Sequence, residues 1–227
     1  MINGDWVTSL DDIRSEAHRF FSDKFAEQFD VRPLLLNPNL RRLPAIDNTL
    51  LEADFNLEEI KEAIWCCGGE KAPGPDGFTF KFIRRYWPLM QDDIMRFVKY
   101  FEASGIIARG CSSSFITLIP KTNDPLTRND YRPISLISCL YNIIMKAMAN
   151  RLKKVIHSVV DDIQTGCIEG RNILDGPMII NEVCSWAKKD KKKVFLLKVD
   201  FDKVFDSVNW HYLDNIMEQM GFGHRWR

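Results

Sequence analysis

The sequence predicts an α+β fold, rich in helix with a few short strands. Three observations carry this. Leu140–Val160 repeats Ile143, Ile144, Ala147, Met148, Leu152, Val155 and Ile156 at helical spacing. Phe115–Pro120 (FITLIP) and Tyr131–Leu136 (YRPISL) read as short extended runs, the first closed by proline. Val194, Phe195, Leu196, Leu197 and Val199 form an apolar run broken only by Lys198, as expected of a strand buried on both faces.

Length and charge bound the answer. With 227 residues the chain can form one large domain or two small ones, and 45% hydrophobic content is ordinary for a globular protein. Its 31 basic and 31 acidic residues balance. That excludes an overall basic nucleic-acid binder, so any such surface must be local. The cysteines at 66, 67, 111, 139, 167 and 184 form no C-x-x-C pair and have no histidine at zinc spacing. They read as reduced thiols of an intracellular protein with no disulfide partner. No signal peptide and no membrane-spanning run is apparent.

The remaining elements follow in order. Asn3–Phe29 reads as a turn and a helix, with a capping box at Ser9-x-x-Asp12 and a core stripe of Ile13, Ala17, Phe20, Phe21 and Phe29. Val31–Leu51, rich in Pro and Asn, reads as an extended linker. A second helix starts near Asn56, with Glu59 three residues on, and buries Leu57, Ile60 and Ile64. Lys71–Phe78 (KAPGPDGF) can be neither helix nor central strand; its prolines and glycines make a rigid turn that by itself is a connector. A helix follows from Pro88, with Leu89, Ile94, Phe97, Val98 and Phe101 apolar. Gln164–Arg171 is a Gly-punctuated loop, Ile173–Trp186 a helix, and Lys188–Lys193 (KKDKKK) a solvated basic loop.

The chemistry concentrates at Asp200, Asp202 and Asp206, where the apolar run meets a helix. Ser207 stands at the N-cap position, Val208, Leu213, Ile216, Met217 and Met220 form the stripe, and Gly221 ends it. Such a strand end is where open α/β sheets place their ligands. Two phosphoryl-transfer readings fit. As apolar strand then D-x-D-x-V, the segment resembles haloacid-dehalogenase phosphotransferases, with Asp200 as nucleophile and Asp202 as general acid/base. As D-x-x-K-x-F-D-S-V-N-W, it resembles the first catalytic motif of reverse transcriptases from LINE-type (non-LTR) retrotransposons.

The order KAPGPDGF, FITLIPK, DYRPISL, YNIIMKAMANRL, QTGCIEGRNILD, KVDFDKVFDSVNW favours the second. Over nearly the whole chain this resembles the LINE-type reverse transcriptase domain, especially its plant branch. The resemblance implies a partial right-hand polymerase: residues 1–56 an N-terminal helical extension and linker, 57–190 a fingers-like region, 191–227 the first palm strand and helix. It implies RNA template, DNA primer and deoxynucleoside triphosphate as partners, no membrane, a nuclear setting and Mg²⁺ as cofactor. Asp200 matches the catalytic metal-binding aspartate, and the carbonyl of Phe201 a further metal ligand. Phe205 matches the aromatic under the incoming sugar. Arg132 matches the arginine that grips the triphosphate, a task that suits a bidentate guanidinium. Lys121 is a template or triphosphate contact, and Lys146 and Arg171 match basic positions facing nucleic acid. Val204 departs from the family's Ala, and Cys167 from its Phe. The family's aromatic-x-Asp-Asp hairpin has no counterpart among Asp11-Asp12, Asp92-Asp93 and Asp161-Asp162. The expectation is therefore a fragment, inactive by itself, with a non-catalytic nucleic-acid-binding remnant as the other outcome.

Overall fold

The structure, a computed structural model, describes residues 9–26, 34–37, 39–200 and 208–227. Phe29, Phe201, Asp202, Val204, Phe205, Asp206 and Ser207 lie outside these. The chain divides into two compact units. The first takes residues up to Ala26 and Asp54–Asn150; the second takes residues 27–53 and Arg151–Arg227.

The first unit is built on helices α3 (Leu57–Cys66), α4 (Phe80–Arg85), α5 (Trp87–Ser104) and the start of α7 (Cys139–Val159). Its core joins Ile60, Ala63, Ile64, Ile83, Trp87, Ile94, Val98, Ile143 and Ile144. The start of α3 is as expected: the Asn56 side chain accepts from Glu59 N–H at 2.9 Å, and Glu59 reaches back to Asn56 N–H at 3.2 Å. Leu57, expected inside, is exposed, as is Leu89 on α5. Each stands in the first turn of its helix, off the stripe that meets the core. Helix α4 has no counterpart in the sequence reading. It is short, and its cap is Thr79, whose hydroxyl accepts from Phe82 N–H at 3.3 Å.

Helix α1 (Leu10–Phe25) forms, but without the expected cap: Ser9 makes no side-chain hydrogen bond there. Ile13 is exposed, and Ala17, Phe20 and Phe21 are only half-buried, so the stripe is not core. Periodicity establishes that a helix has an apolar face; it does not supply the surface that covers it.

After the short helix α6 (Arg109–Ser112), strands β1 (Ser114–Pro120) and β2 (Tyr131–Ile137) pair antiparallel, Ser114 opposite Ile137 and Pro120 opposite Tyr131. This hairpin is the only sheet among the described residues.

The second unit packs α2 (Ala45–Glu52), the end of α7 and α9 (Trp210–Gln219), with Leu43, Leu51, Val155, Val159 and Phe222 as core. Helix α2 corrects the expected linker: Leu51 buries against that core, and Asp47 accepts from the Ser158 hydroxyl at 2.6 Å. Helix α9 is capped by Asn209, which accepts from Tyr212 N–H at 2.9 Å, whereas Ser207 had been the expected cap. It ends as read. Gly221 (φ 84°) donates to Glu218 O at 2.9 Å and Phe222 to Met217 O at 3.0 Å, the two bonds of a Schellman motif. Helix α8 (Asp175–Lys189) forms with Met178, Ile179, Ile180, Val183 and Trp186 exposed. In the basic loop beyond it, Lys192 lies 4.3 Å from the Trp186 ring centre, a cation–π contact.

The largest correction concerns Val194–Val199. These residues are not in a sheet, and they are exposed, Phe195 at 86%. Composition selects residues that suit a buried strand, but a strand exists only beside another strand. Among the described residues none pairs with this segment.

Candidate nucleotide and nucleic-acid site

Three of the candidate residues belong to the first unit. Lys121 directly follows β1, and Arg132 is the second residue of β2, opposite Ile119. The hairpin therefore brings both cations to its tip, where both are exposed. The tip is tightly built. Lys121 donates from its backbone N–H to Asp130 O at 2.6 Å and from Nζ to Asn129 O at 2.6 Å. The Asp130 carboxylate accepts from Thr127 N–H at 2.7 Å, its hydroxyl at 3.0 Å and Leu126 N–H at 3.0 Å. Those donors, Thr127's backbone first, hold the Asp130 carboxyl below its ordinary range. Lys121 is thus half occupied in closing the hairpin, while Arg132 projects from a fixed backbone. Lys146 is half-buried on α7, near enough to Cys67 to pull that thiol down, although burial wins and the thiol is raised overall.

The hairpin is positioned by the KAPGPDGF loop. Gly77 (φ 71°) closes a turn by donating to Gly74 O at 3.0 Å. Asp76 Oδ2 accepts from Cys139 N–H at 2.6 Å, at the start of α7, and Cys139 Sγ donates to Phe78 O at 3.2 Å. Ser138 caps the same helix, accepting from Tyr141 N–H at 3.3 Å. The loop is therefore docked at the junction of β2 and α7, which a connector would not be. Beside it lies a cavity of about 410 Å³ lined by Lys71, Gly74, Phe78, Ser135, Cys139 and Asn142 among others.

Burial, with the Asp76 carboxylate adding to it, pushes the Cys139 thiol from 9.0 up to about 12. Because the folded value is raised, this contribution to stability is intact below pH 9 and is lost as the pH climbs toward 12. Thiol alkylation at pH 8 is expected to label the exposed Cys66 and Cys167 and to spare Cys139 until the first unit unfolds. Mass mapping that finds Cys139 labelled in the native chain would contradict this placement.

Arg171 and Asp200 belong to the second unit. Arg171 donates to Val160 O at 3.1 Å, Gln164 O at 2.7 Å and Asp161 O at 2.5 Å, and pairs with Asp162 at 3.2 Å. It closes the C-terminal end of α7. The same device recurs. Arg84 donates to Ile64 O at 3.0 Å, Trp65 O at 3.2 Å and Cys67 O at the end of α3; Arg151 and Arg225 do so at the end of α2. Orphan carbonyls at a helix end favour a forked cation. The sequence reading missed these clamps, since no local pattern announces a carbonyl brought from elsewhere. Asp200 is exposed and outside any sheet; Phe201 and Phe205 lie outside the described residues.

Residues 119–227 match the family model described as "Reverse transcriptase (RNA-dependent DNA polymerase)". This span holds Lys121, Arg132, Lys146, Arg171 and Asp200. Residues 119–227 belong to the reverse transcriptase family. The match supersedes the haloacid-dehalogenase reading of the same aspartates.

Similarity to retrotransposon proteins extends further along the chain. The uncharacterized 149 kDa protein of transposon TX1 from Xenopus laevis is 28% identical over 222 residues, 95% of this chain and 17% of that protein. The Pol polyprotein from type-1 retrotransposable element R1 of Bradysia coprophila is 26% identical over 175 residues, 74% of this chain and 17% of the relative. That from type-2 element R2DM of Drosophila melanogaster is 28% identical over 167 residues, 70% and 15%. The chain thus spans about a sixth of these relatives' length. Reverse transcriptases act on a nucleic-acid template and primer and are generally metal-dependent. Among the described residues no group of three His, Cys, Asp or Glu side chains could hold a metal. Phe201, Asp202 and Asp206, the neighbours with which Asp200 would share a metal, lie outside the described residues. No described helix is long and apolar enough to cross a membrane.

Proposed function

We propose that this chain supplies the fingers and the start of the palm of an RNA-directed DNA polymerase of a non-LTR retrotransposon. The observation that carries the reading is the hairpin tip, which holds Lys121 and Arg132 within the span matched to the family. A guanidinium on a rigid strand can clamp a triphosphate bidentately, and Lys121 can add charge without a fixed direction. In this reading Asp200, with the Phe201 carbonyl, supplies one part of a Mg²⁺ site, and Phe205 excludes a 2′-hydroxyl. Lys146 and Arg171 flank the nucleic acid. For Arg171 only the face not spent on α7 is available.

The test is a chimaera in which this chain replaces the matching segment of an intact retrotransposon reverse transcriptase. RNA-templated primer extension is expected. Arg132→Ala should raise the KM for deoxynucleotide by about 10- to 100-fold, the worth of a charge-assisted hydrogen bond of about 1.5–3 kcal/mol. Asp200→Ala should lower kcat by on the order of a thousandfold. An unchanged KM for Arg132→Ala would remove it from the triphosphate, and extension surviving Asp200→Ala would sink the catalytic assignment.

A further inference from the structure

Helix α4 has two faces, and the outer one is unusual. Phe80, Ile83 and Trp87 turn inward and are buried in the core of the first unit. The opposite stripe, at positions i, i+3, i+4, i+7 and i+8, reads Phe78, Lys81, Phe82, Arg85, Tyr86. The outward face of a surface helix is ordinarily polar. Here every apolar member is an aromatic ring, and the places between are cations. The rings are 44%, 40% and 44% exposed. They form a ladder: Phe78 and Phe82 stack with centroids 5.1 Å apart at 24°, and Phe82 and Tyr86 lie 4.7 Å apart at 48°.

The ladder is held in place before any ligand arrives. The turn at Gly77 (φ 71°) sends the chain back toward α4. Cys139 Sγ donates to Phe78 O at 3.2 Å, and Thr79 caps the helix that carries Phe82. Rings already ordered lose little entropy on binding. Of the two cations, Lys81 pairs with Glu70 at 2.6 Å, an exposed bridge that a phosphate can compete for. Arg85 is exposed and has no carboxylate partner among the described residues. The stripe itself contains no acid.

We infer that Phe78, Phe82 and Tyr86 form a stacking ridge for unpaired bases of a single-stranded nucleic acid, with Arg85 and Lys81 meeting its phosphates. Flat rings at regular spacing accept any base by its face, and interleaved cations follow the backbone. Aromatic rings and Arg also occur at protein interfaces, but two cations interleaved in a stripe that contains no acid favour a polyanion. The ridge lies outside residues 119–227 and shares no residue with the hairpin-tip site, so it goes beyond the polymerase reading. Its test needs no polymerisation.

The experiment is fluorescence anisotropy with the 227-residue chain and labelled oligouridylate, the DNA strand of the same composition, and a duplex. Both single strands should bind, and the duplex at least about tenfold more weakly, since its bases are already stacked. Phe82→Ala and Tyr86→Ala should each weaken binding by about tenfold. Phe82→Trp should bind at least as tightly as the parent. Phe82→Leu keeps an apolar side chain but no flat face, and should bind like Phe82→Ala. That Trp/Leu contrast keeps the bulk at position 82, so it stands even if the alanine variants lose structure. Arg85→Gln should lessen the slope of log affinity against log salt by about 0.7. Overturning results are Leu equal to Phe at position 82, duplex binding equal to single strand, or no single-strand binding by the parent. Self-association abolished by Phe82→Ala with RNA binding intact would make the ridge a protein contact, and the inference would fall.

Discussion

Replacing Gly74 with alanine is expected to destabilise the first unit by about 3 kcal/mol or more. A Cβ at this position would stand 2.5 Å from the Ile137 carbonyl oxygen and 2.7 Å from Ser138 N. Both are backbone atoms, so no side chain can swing aside. The loop would have to withdraw, breaking the 2.6 Å bond from Cys139 N–H to Asp76 and opening the cavity beside it. Gly105 is the control. It has φ 67° but nothing within 4 Å of its Cβ position, so Gly105→Ala should cost only the left-handed strain, about 1–2 kcal/mol. Urea titration of both variants, with Cys139 alkylation as the local reporter, separates the two effects. Equal losses would show that the loop yields easily and does not position β2.

Loss of Arg151 should have a comparable effect on the second unit. Its side chain is 3% exposed, and it donates to Leu51 O at 3.1 Å and to Ala53 O. Helix α2 ends without glycine, so its last carbonyls depend on guanidinium groups: Arg225 takes Glu52 O at 2.8 Å. Arg151→Ala removes a buried cation, leaves those acceptors dry and opens a void, at a cost of about 3–5 kcal/mol. Arg151→Lys should recover only part of this, because an ammonium keeps the charge but lacks the rigid fork that satisfies both carbonyls. Arg225→Ala, exposed, should cost about 1 kcal/mol. Two units need not unfold together, so hydrogen exchange along α2 and α7 is the measurement of choice. Protection of α2 unchanged in Arg151→Ala would refute the clamp.

Gly74 and Arg171 mark the boundary of what could be read in advance. KAPGPDGF was legible as a rigid turn because Pro and Gly restrict the backbone locally; that Gly74 meets Ile137 depends on residues 63 positions away. Arg171 was legible as a basic position of a resembled family. Its occupation by three carbonyls depends on where α7 stops. The aromatic ridge combines both kinds. Its spacing is in the sequence, but only the burial of Phe80, Ile83 and Trp87 shows which way Phe78, Phe82 and Tyr86 face.

The sequence by itself determined the α7 helix, the α3 capping box, the hairpin strands and the glycine that ends α9. Each rests on periodicity, a cap or a turn, interactions closed within a few residues or, for the hairpin, across one short connection. Tertiary structure alone decided the rest. Leu51 is core and Leu57 is not, Arg151 is structural, and α1 and α8 leave apolar faces open. Val194–Val199 has the composition of a buried strand but lies exposed, because pairing and burial are supplied by neighbours and not by the segment itself.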